Sequence, residues 1–217
     1  MADGLVLAPR LRPGDRVRLV SPASTPDRAA VDDCLRVLDS WGLRGEVAPH
    51  AFDEWGYMAG CDAHRLDDLN DAFRDPEVRA VVATRGGAGA FRIADRIDVA
   101  AVRADPKPLV GFSDITVLHL SLLRHCAVGG IHGCLVGSTA QASVRQLLMT
   151  TDPLVLHRDP LAVSAAAEVP GRACGRLIGG NLASVATSIG VRMPPLSGAV
   201  LFLEDNGWWV LERSTVS

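Results

Sequence analysis

Short apolar runs alternate with helical patterns over the first 150 residues, and this alternation limits the possible folds more than any other feature. The runs at 15–20 and 78–84 and around Val110 suit strands that are buried on both faces. Between them, apolar residues recur at helical spacing. We therefore predict an α/β fold with an open, mostly parallel sheet, helices on both faces, and ligands at the carboxyl ends of the strands.

The composition changes near Asp152, where short apolar segments separated by Pro and Gly replace the regular alternation. We predict a domain boundary there, with an α/β domain at residues 1–151 and an incomplete, mostly β domain at residues 152–217. The elements expected in the second part are a strand at 172–178, a turn at 179–181, a helix at 182–189 and a strand at 198–204.

Charge and composition argue against several functional classes. The chain has 217 residues, 48% of them hydrophobic, and a formal net charge of -3, so it offers no basic surface for nucleic acid. No apolar run approaches membrane-spanning length and residues 1–18 lack a signal-peptide core, so we expect a cytoplasmic protein without a membrane partner. Neither the five cysteines nor the six histidines show a metal-binding spacing, and we expect reduced thiols, no metal and no cofactor.

The period of the apolar pattern changes from strand to helix at Ser113. Gly111 allows a tight turn before it, and the first amides of the helix after it have no intrahelical partners. This is the arrangement of a nucleophile elbow, although Ile115 stands where the G-x-S-x-G pattern has its second glycine. A Ser-Asp pair that opens a helix is also a common N-cap, and this alternative stays open.

A glycine cluster, RGGAG at 85–89, also follows a predicted strand and should lie at the same edge as Ser113. It lacks the Lys-Ser/Thr of a P-loop, so a nucleotide site is not favoured. Glycine amides there and the amide of Asp114 are candidate donors to an oxyanion. The alternative is that the glycines only let two backbones approach closely.

A serine nucleophile needs a base and an acid that orients the base. His119 lies about 240° around the helix from Ser113 and should pack against the sheet. His132 ends the next strand and could reach the same edge, although a structural role is the alternative. Glu204, which follows a strongly apolar strand, is the best-placed acid, with a solvated carboxylate as the alternative.

Taken together, several stretches resemble the LD-carboxypeptidases, serine peptidases that include muramoyltetrapeptide carboxypeptidases and microcin self-immunity peptidases. The matches run in family order over nearly the whole chain. They are RPGDRV at 12–17, SPAS at 21–24, GYMAG at 56–60, RLDDLN at 65–70, TRGG at 84–87, PKPLVGFSDIT at 106–116, IHG at 131–133, GGNL at 179–182 and LFLED at 201–205.

The resemblance implies a role for each of the matching polar positions. Ser113 would be the nucleophile and Glu204 the triad acid, while Gly86 and Gly87, which follow Arg85, would line the oxyanion site. With these glycines, Arg85 and Asp114 are candidates for oxyanion or substrate binding. The implied reaction releases the terminal D-alanine from a murein tetrapeptide in cytoplasmic cell-wall recycling, without metal or cofactor. The implied partner is this small peptide, and a homodimer is left open.

The chain departs from the family pattern in three ways. Ala88 replaces a tyrosine, Cys134 replaces a proline, and no histidine follows His157, although the family's catalytic histidine lies beyond the Leu-Glu-Asp segment. We interpret the chain as a truncated or frameshifted member that hydrolyses its peptide poorly and exposes Trp208 and Trp209. The alternatives are a non-catalytic peptide-binding remnant and an immunity-type hydrolase of peptide-nucleotide or aminoacyl-adenylate amides.

Overall fold

The computed structural model describes residues 4–157, 161, 167 and 169–205, and its centre is a five-stranded sheet. Every pair of neighbouring strands is parallel, in the order β2-β1-β3-β4-β5. This confirms the predicted fold class. The strands are β1 (Arg16–Val20), β2 (Arg44–Val47), β3 (Val78–Ala83), β4 (Leu109–Gly111) and β5 (Ile131–His132).

Helices cover both faces of this sheet, as predicted. They are α1 (Arg28–Ser40), α2 (Asp62–Arg74), α3 (Ala90–Ile93), α4 (Val99–Ala104), α5 (Thr116–Cys126) and α6 (Ser138–Met149). Val81 of β3 packs in a cluster with α2, α4 and α5, whereas Ala80 and Val82 pack in a second cluster with α1 and α6. Because alternate residues of the strand are buried on opposite faces, residues 80–83 form a continuous apolar run in the sequence.

Phe91, Ile93, Ala94 and Ile97 recur at helical spacing, which predicts one helix, but the structure interrupts it. A 3-10 turn at Ala94–Arg96 follows α3, and α4 then begins as a separate helix. The Asp98 side chain accepts a hydrogen bond from the Ala101 amide at 3.0 Å, which caps the new helix. The sequence pattern therefore missed an N-cap between two short helices.

A second sheet of two parallel strands lies in the C-terminal part of the described chain. It consists of β6 (Arg176–Asn181) and β7 (Ala199–Glu204), joined by α7 (Leu182–Ser188). The predicted turn at 179–181 is wrong, because β6 continues through it. A Cβ at Gly179 would lie 1.7 Å from the carbonyl oxygen of Phe202, so the glycine is needed for close strand pairing. The predicted exposure of Trp208 and Trp209 falls outside the described residues.

The C-terminal segment packs against α5, the helix that follows Ser113. Leu120 forms an apolar cluster with Ile178 and Val185. The backbone amide of Asn181 donates a hydrogen bond of 3.1 Å to the hydroxyl of Thr116 in the first turn of α5. This contact fixes the end of β6 beside the N-terminus of α5.

Lys107 joins the end of α2 to the start of β4. Its side chain is fully buried, and Nζ donates to the carbonyl oxygens of Ala72, Phe73 and Asp75 at 3.1, 2.8 and 2.5 Å. Burial lowers the pKa of Lys107, while the Asp105 carboxylate at 3.5 Å acts in the opposite direction. The three carbonyls at the end of α2, which lack helical partners, are thus satisfied by one cation.

His119 packs against the sheet, as its position on the helix predicted, and this should make stability depend on pH. Its Nε2 donates to the carbonyl oxygen of Leu109 at 3.1 Å, and burial, aided by the nearby His132, lowers the pKa of His119 from 6.5 to about 4. His119 is therefore protonated below about pH 6.5 in the unfolded chain, but only near pH 4 in the folded chain. We expect the contribution of His119 to the free energy of unfolding to be fully present above pH 6.5. It should fall by about 3 kcal/mol as the pH drops to 4.

Urea unfolding of the wild type and of His119→Gln at pH 7 and pH 4.5 measures this contribution. The variant should lose less stability on acidification than the wild type does. His125→Gln, which changes an exposed histidine on the same helix, should keep the wild-type dependence. Equal pH dependence in the wild type and His119→Gln would contradict the assignment.

Candidate functional site

Ser113 has the backbone conformation of a strained strand-to-helix turn. Its φ is +57°, and among the described residues Ala127 is the only other non-glycine residue with a positive φ. A short 3-10 turn, Ser113–Ile115, connects β4 to α5, and neither helix start has a side-chain cap hydrogen bond. The backbone at Ser113 therefore has the conformation expected of an elbow. The alternative, in which the Ser113 or Asp114 side chain caps the helix, does not agree with the structure, because no such hydrogen bond is formed.

Gly111 explains why the elbow can exist without the second glycine of the usual motif. A Cβ at Gly111 would lie 2.5 Å from Cγ2 of Ile115. The fully buried Ile115 side chain thus occupies the space beside the strand that Gly111 leaves free. The first glycine of the motif accommodates the residue that replaces the second.

The glycine cluster lies directly beside Ser113, as predicted. A Cβ at Gly86 would be 2.7 Å from Cβ and 3.2 Å from Oγ of Ser113. At Gly87, whose φ is +118°, a Cβ would collide with the Ser24 hydroxyl, which accepts a hydrogen bond from the Ala88 amide at 3.3 Å. Glycine is therefore required at position 86 for the backbone to approach Ser113, and at position 87 for it to approach Ser24.

Gly86→Ala tests this close packing. The added methyl group would meet Ser113 Cβ and, at 3.1 Å, the Phe112 carbonyl oxygen, neither of which can rotate away. We expect the free energy of unfolding to fall by about 1–3 kcal/mol, which is typical of overpacking. Chemical denaturation measures the change.

Gly171→Ala is the matched control, because a Cβ there would meet no atom within 4 Å. It should leave stability nearly unchanged. A Gly86→Ala variant as stable as Gly171→Ala would contradict this prediction, because it would show that the loop can move to accommodate the methyl group at little cost in free energy.

The Asp114 side chain ties the glycine cluster to the elbow. Its Oδ2 accepts a hydrogen bond of 2.8 Å from the amide of Ala90 at the start of α3. Burial raises the pKa of Asp114, while the Ala90 hydrogen bond and the charge of Arg65 act in the opposite direction. Arg85 is exposed, and its guanidinium donates to the carbonyl oxygen of Thr25 at 3.1 Å.

Arg65 lies beneath this site, and the sequence analysis did not identify it as a site residue. It is 1% exposed, and its Nη1 donates to the Pro22 carbonyl oxygen at 2.6 Å. A Cβ at Gly89 would lie 2.8 Å from the same nitrogen. Arg65 belongs to the RLDDLN stretch, and this was the only signal in the sequence that could have pointed to it. A charged residue within a helical pattern is normally exposed, so the pattern does not reveal that this arginine is buried.

Glu204 and His132 meet near the same edge. Glu204 Oε1 lies 3.5 Å from His132 Nε2, and His132 pairs with Gly111 in the parallel register of β4 and β5. Burial lowers the pKa of His132, and Glu204 opposes this shift. The predicted position of His132 at the edge that carries Ser113 agrees with the structure, and the acid from β7 reaches this edge as well.

No hydrogen bond joins the Ser113 hydroxyl to a histidine within the described ranges. His119 Nε2 is bound to Leu109, and His132 faces Glu204. The site thus brings together a strained serine, glycine amides and a carboxylate, and no histidine in the described part of the chain is hydrogen-bonded to the serine. Such an arrangement can position a carbonyl for attack, but proton removal from the hydroxyl needs a further group.

The chain is similar to two carboxypeptidases over most of its length. It is 35% identical over 206 residues to a Bacillus subtilis (strain 168) protein named as a probable murein peptide carboxypeptidase, with 90% of this chain and 63% of the relative covered. It is 34% identical over 222 residues to the murein tetrapeptide carboxypeptidase of Pseudomonas aeruginosa, with 92% and 69% covered. The chain thus spans 63% and 69% of the lengths of these two relatives.

Solved structures show the same fold. An MccF-like protein from Bacillus anthracis superposes with a TM-score of 0.81 at 23% identity, with 94% of this chain and 71% of that one covered. A muramoyltetrapeptide carboxypeptidase from Oxalobacter formigenes gives 0.71 at 25% identity, with 88% and 65% covered. Residues 17–133 match the family described as the LD-carboxypeptidase N-terminal domain. Together with the two carboxypeptidase relatives, this match shows that the chain belongs to the LD-carboxypeptidase family.

Proposed function

We propose that this chain carries the serine, oxyanion and acid part of a serine carboxypeptidase that releases terminal D-alanine from murein tetrapeptides. The observation that supports this most strongly is Ser113 at a φ of +57° with Gly86 packed against its side chain. Strain of this kind is held where a side chain must be presented to a substrate. The named activities of the two carboxypeptidase relatives support the choice of substrate.

Each polar residue of the site has a proposed role in this reaction. A base supplied by a further group takes the Ser113 hydroxyl proton as Oγ attacks the carbonyl carbon before the terminal D-alanine, and it returns the proton to the D-alanine amine when the peptide bond breaks. Water then hydrolyses the acyl-enzyme. The amides of Gly86 or Gly87 and of Asp114 donate to the oxyanion that forms during the attack. One such donor is typically worth about 3 kcal/mol of barrier. Glu204 stabilises the positive charge of the protonated base, and the exposed guanidinium of Arg85 receives a peptide carboxylate.

The proposed reaction uses a small soluble substrate and no cofactor. The substrate is a small peptide from cell-wall recycling in the cytoplasm, and neither metal, cofactor nor nucleic acid takes part. No helix among the described residues is long and apolar enough to cross a membrane. A homodimer is the proposed assembly, supported by the exposed side chains of Leu201 and Leu203 on β7, and light scattering of the purified chain tests it.

Calorimetric titration with murein tetrapeptides tests the substrate assignment without relying on turnover. We expect the peptide that ends in D-alanine to bind about tenfold more tightly than the same peptide ending in L-alanine, because inversion exchanges the methyl and carboxylate positions. Equal affinity for both, or no binding to either, would overturn the proposal. Binding with no product under any condition would favour the non-catalytic remnant.

An immunity-type hydrolase of nucleotide-linked amides is the second candidate. Trp55 and Tyr57, which are 53% and 65% exposed in the loop after β2, could stack on a base. A microcin C7 self-immunity protein, a mutant, has been solved in complex with adenosine monophosphate. Titration with adenosine monophosphate separates the two, since tight binding that is lost in Trp55→Ala would favour this candidate over the tetrapeptide.

A further inference from the structure

Three side chains with metal-binding atoms meet on the surface outside the serine site. Nδ1 of His50 lies 3.1 Å, and Nδ1 of His64 2.7 Å, from the same oxygen, Oδ2 of Asp53. The two imidazole rings are stacked, with their centroids 4.0 Å apart. Two nitrogens and one carboxylate oxygen thus converge within 4.8 Å of one another.

The surrounding backbone holds this cluster in place. The amide of His50 donates to the carboxylate of the buried Asp68 at 3.0 Å, and His64 lies in the first turn of α2. Gly60, with a φ of +77°, has no room for a Cβ because Asp53 Cβ would be 2.7 Å away. Residues on a loop, a turn and a helix therefore place the three side chains together.

We propose that His50, Asp53 and His64 form a binding site for a divalent transition metal ion of the Zn²⁺ class. Imidazole nitrogen and carboxylate oxygen are ligands that such ions accept, and three protein ligands leave further positions for water. The side chains are between 36% and 47% exposed, so an ion can enter and retain water. On binding, the ion replaces the two contacts to Asp53. Each ring gives up the Nδ1 proton that it donates to the carboxylate and carries its remaining proton on Nε2.

The ion would stiffen the loop that borders the serine site. The carbonyl oxygens of Asp53 and Met58 both accept from the Thr25 hydroxyl, at 2.8 and 3.2 Å. The Thr25 carbonyl in turn accepts from Arg85, beside the glycine cluster. The metal site is therefore structural and not catalytic, and it acts on the loop that carries Trp55 and Tyr57.

Calorimetric titration of the 217-residue chain with ZnCl₂ tests the site. We expect one ion per chain, and an affinity at least about tenfold weaker in His64→Gln and in Asp53→Asn, because even partners outside the ligand set contribute that much to metal affinity. His125→Gln changes an exposed histidine elsewhere and should bind like the wild type. Zinc should also shift the ring signals of His50 and His64 in NMR spectra of the wild type, which needs no variant to fold.

Cys61 provides the decisive comparison, because it is exposed and lies next to Asp62 at the start of α2. If His50, Asp53 and His64 hold the ion, Cys61→Ser should bind zinc with the affinity of the wild type. Binding that is lost in Cys61→Ser but kept in His64→Gln would assign the ion to the thiol and overturn the site. The absence of any zinc-dependent shift at His50 and His64 would overturn it as well.

Discussion

Added imidazole is expected to raise the rate of D-alanine release from a murein tetrapeptide by on the order of 10²-fold, and Ser113→Ala should abolish this increase. No hydrogen bond joins a histidine to the Ser113 hydroxyl in the described structure, although Gly86 lies against Ser113 and Glu204 lies beside His132. A positioned base contributes roughly 10²–10⁴-fold, and a diffusing base should reach the lower limit. Without imidazole the chain should be slow, because an unassisted serine is a weak nucleophile.

Ser113→Ala should also change the rate without imidazole only slightly. Residues that act as one catalytic unit are strongly non-additive, so the loss of a second member adds little once the base is not engaged. Ser40→Ala, at the exposed end of α1, is the matched control and should keep the full response. Rapid hydrolysis without imidazole that disappears in Ser113→Ala would show that a base already reaches the serine.

Lys107→Met is expected to reduce the free energy of unfolding by roughly 3–5 kcal/mol, because it removes three hydrogen bonds from a charged donor, each typically worth about 1.5–3 kcal/mol, together with the cost of burying that charge. Methionine fills a similar volume, but it cannot donate to the carbonyl oxygens of Ala72, Phe73 and Asp75. The carbonyl oxygens of Ala72 and Phe73 would lose this donor, whereas that of Asp75 would keep its hydrogen bond from the Val78 amide at 3.1 Å. The desolvation that lowers the pKa of Lys107 offsets only part of this loss.

Urea unfolding at pH 7 measures the effect, and Arg36→Met supplies the control. Arg36 is an exposed cation that pairs with Asp33 on α1, so its removal should change stability by less than about 1 kcal/mol. A Lys107→Met variant that loses no more than the Arg36→Met variant would contradict the role assigned to the buried amine.

The serine site was predictable because local patterns determine it. The change from strand to helix period identified Ser113, and the parallel order of the strands placed Gly86 and His132 at the same edge. The positive φ of Ser113 and its contact with Gly86 agree with this prediction. The nucleophile, oxyanion and acid roles remain proposals, since they depend on a bound substrate.

Other features could not be predicted because they depend on contacts between distant segments. Gly179 and Gly180 indicated a turn, yet they lie inside β6, where a Cβ at Gly180 would be 2.5 Å from the Thr116 hydroxyl. The meeting of His50 and His64 requires the loop after β2 to fold back onto α2. The spacing of residues along the sequence does not predict that Gly180 lies against Thr116 or that His50 lies against His64.

Lys107 is the only lysine in the chain, so its Nζ is the only primary amine apart from the α-amino group. Because this nitrogen is buried and donates to three carbonyls, an acylating reagent can reach it only when the start of β4 separates from the end of α2. The rate of acylation at this one position would therefore report how often the strand before Ser113 opens. A single mass shift would follow local unfolding next to Ser113.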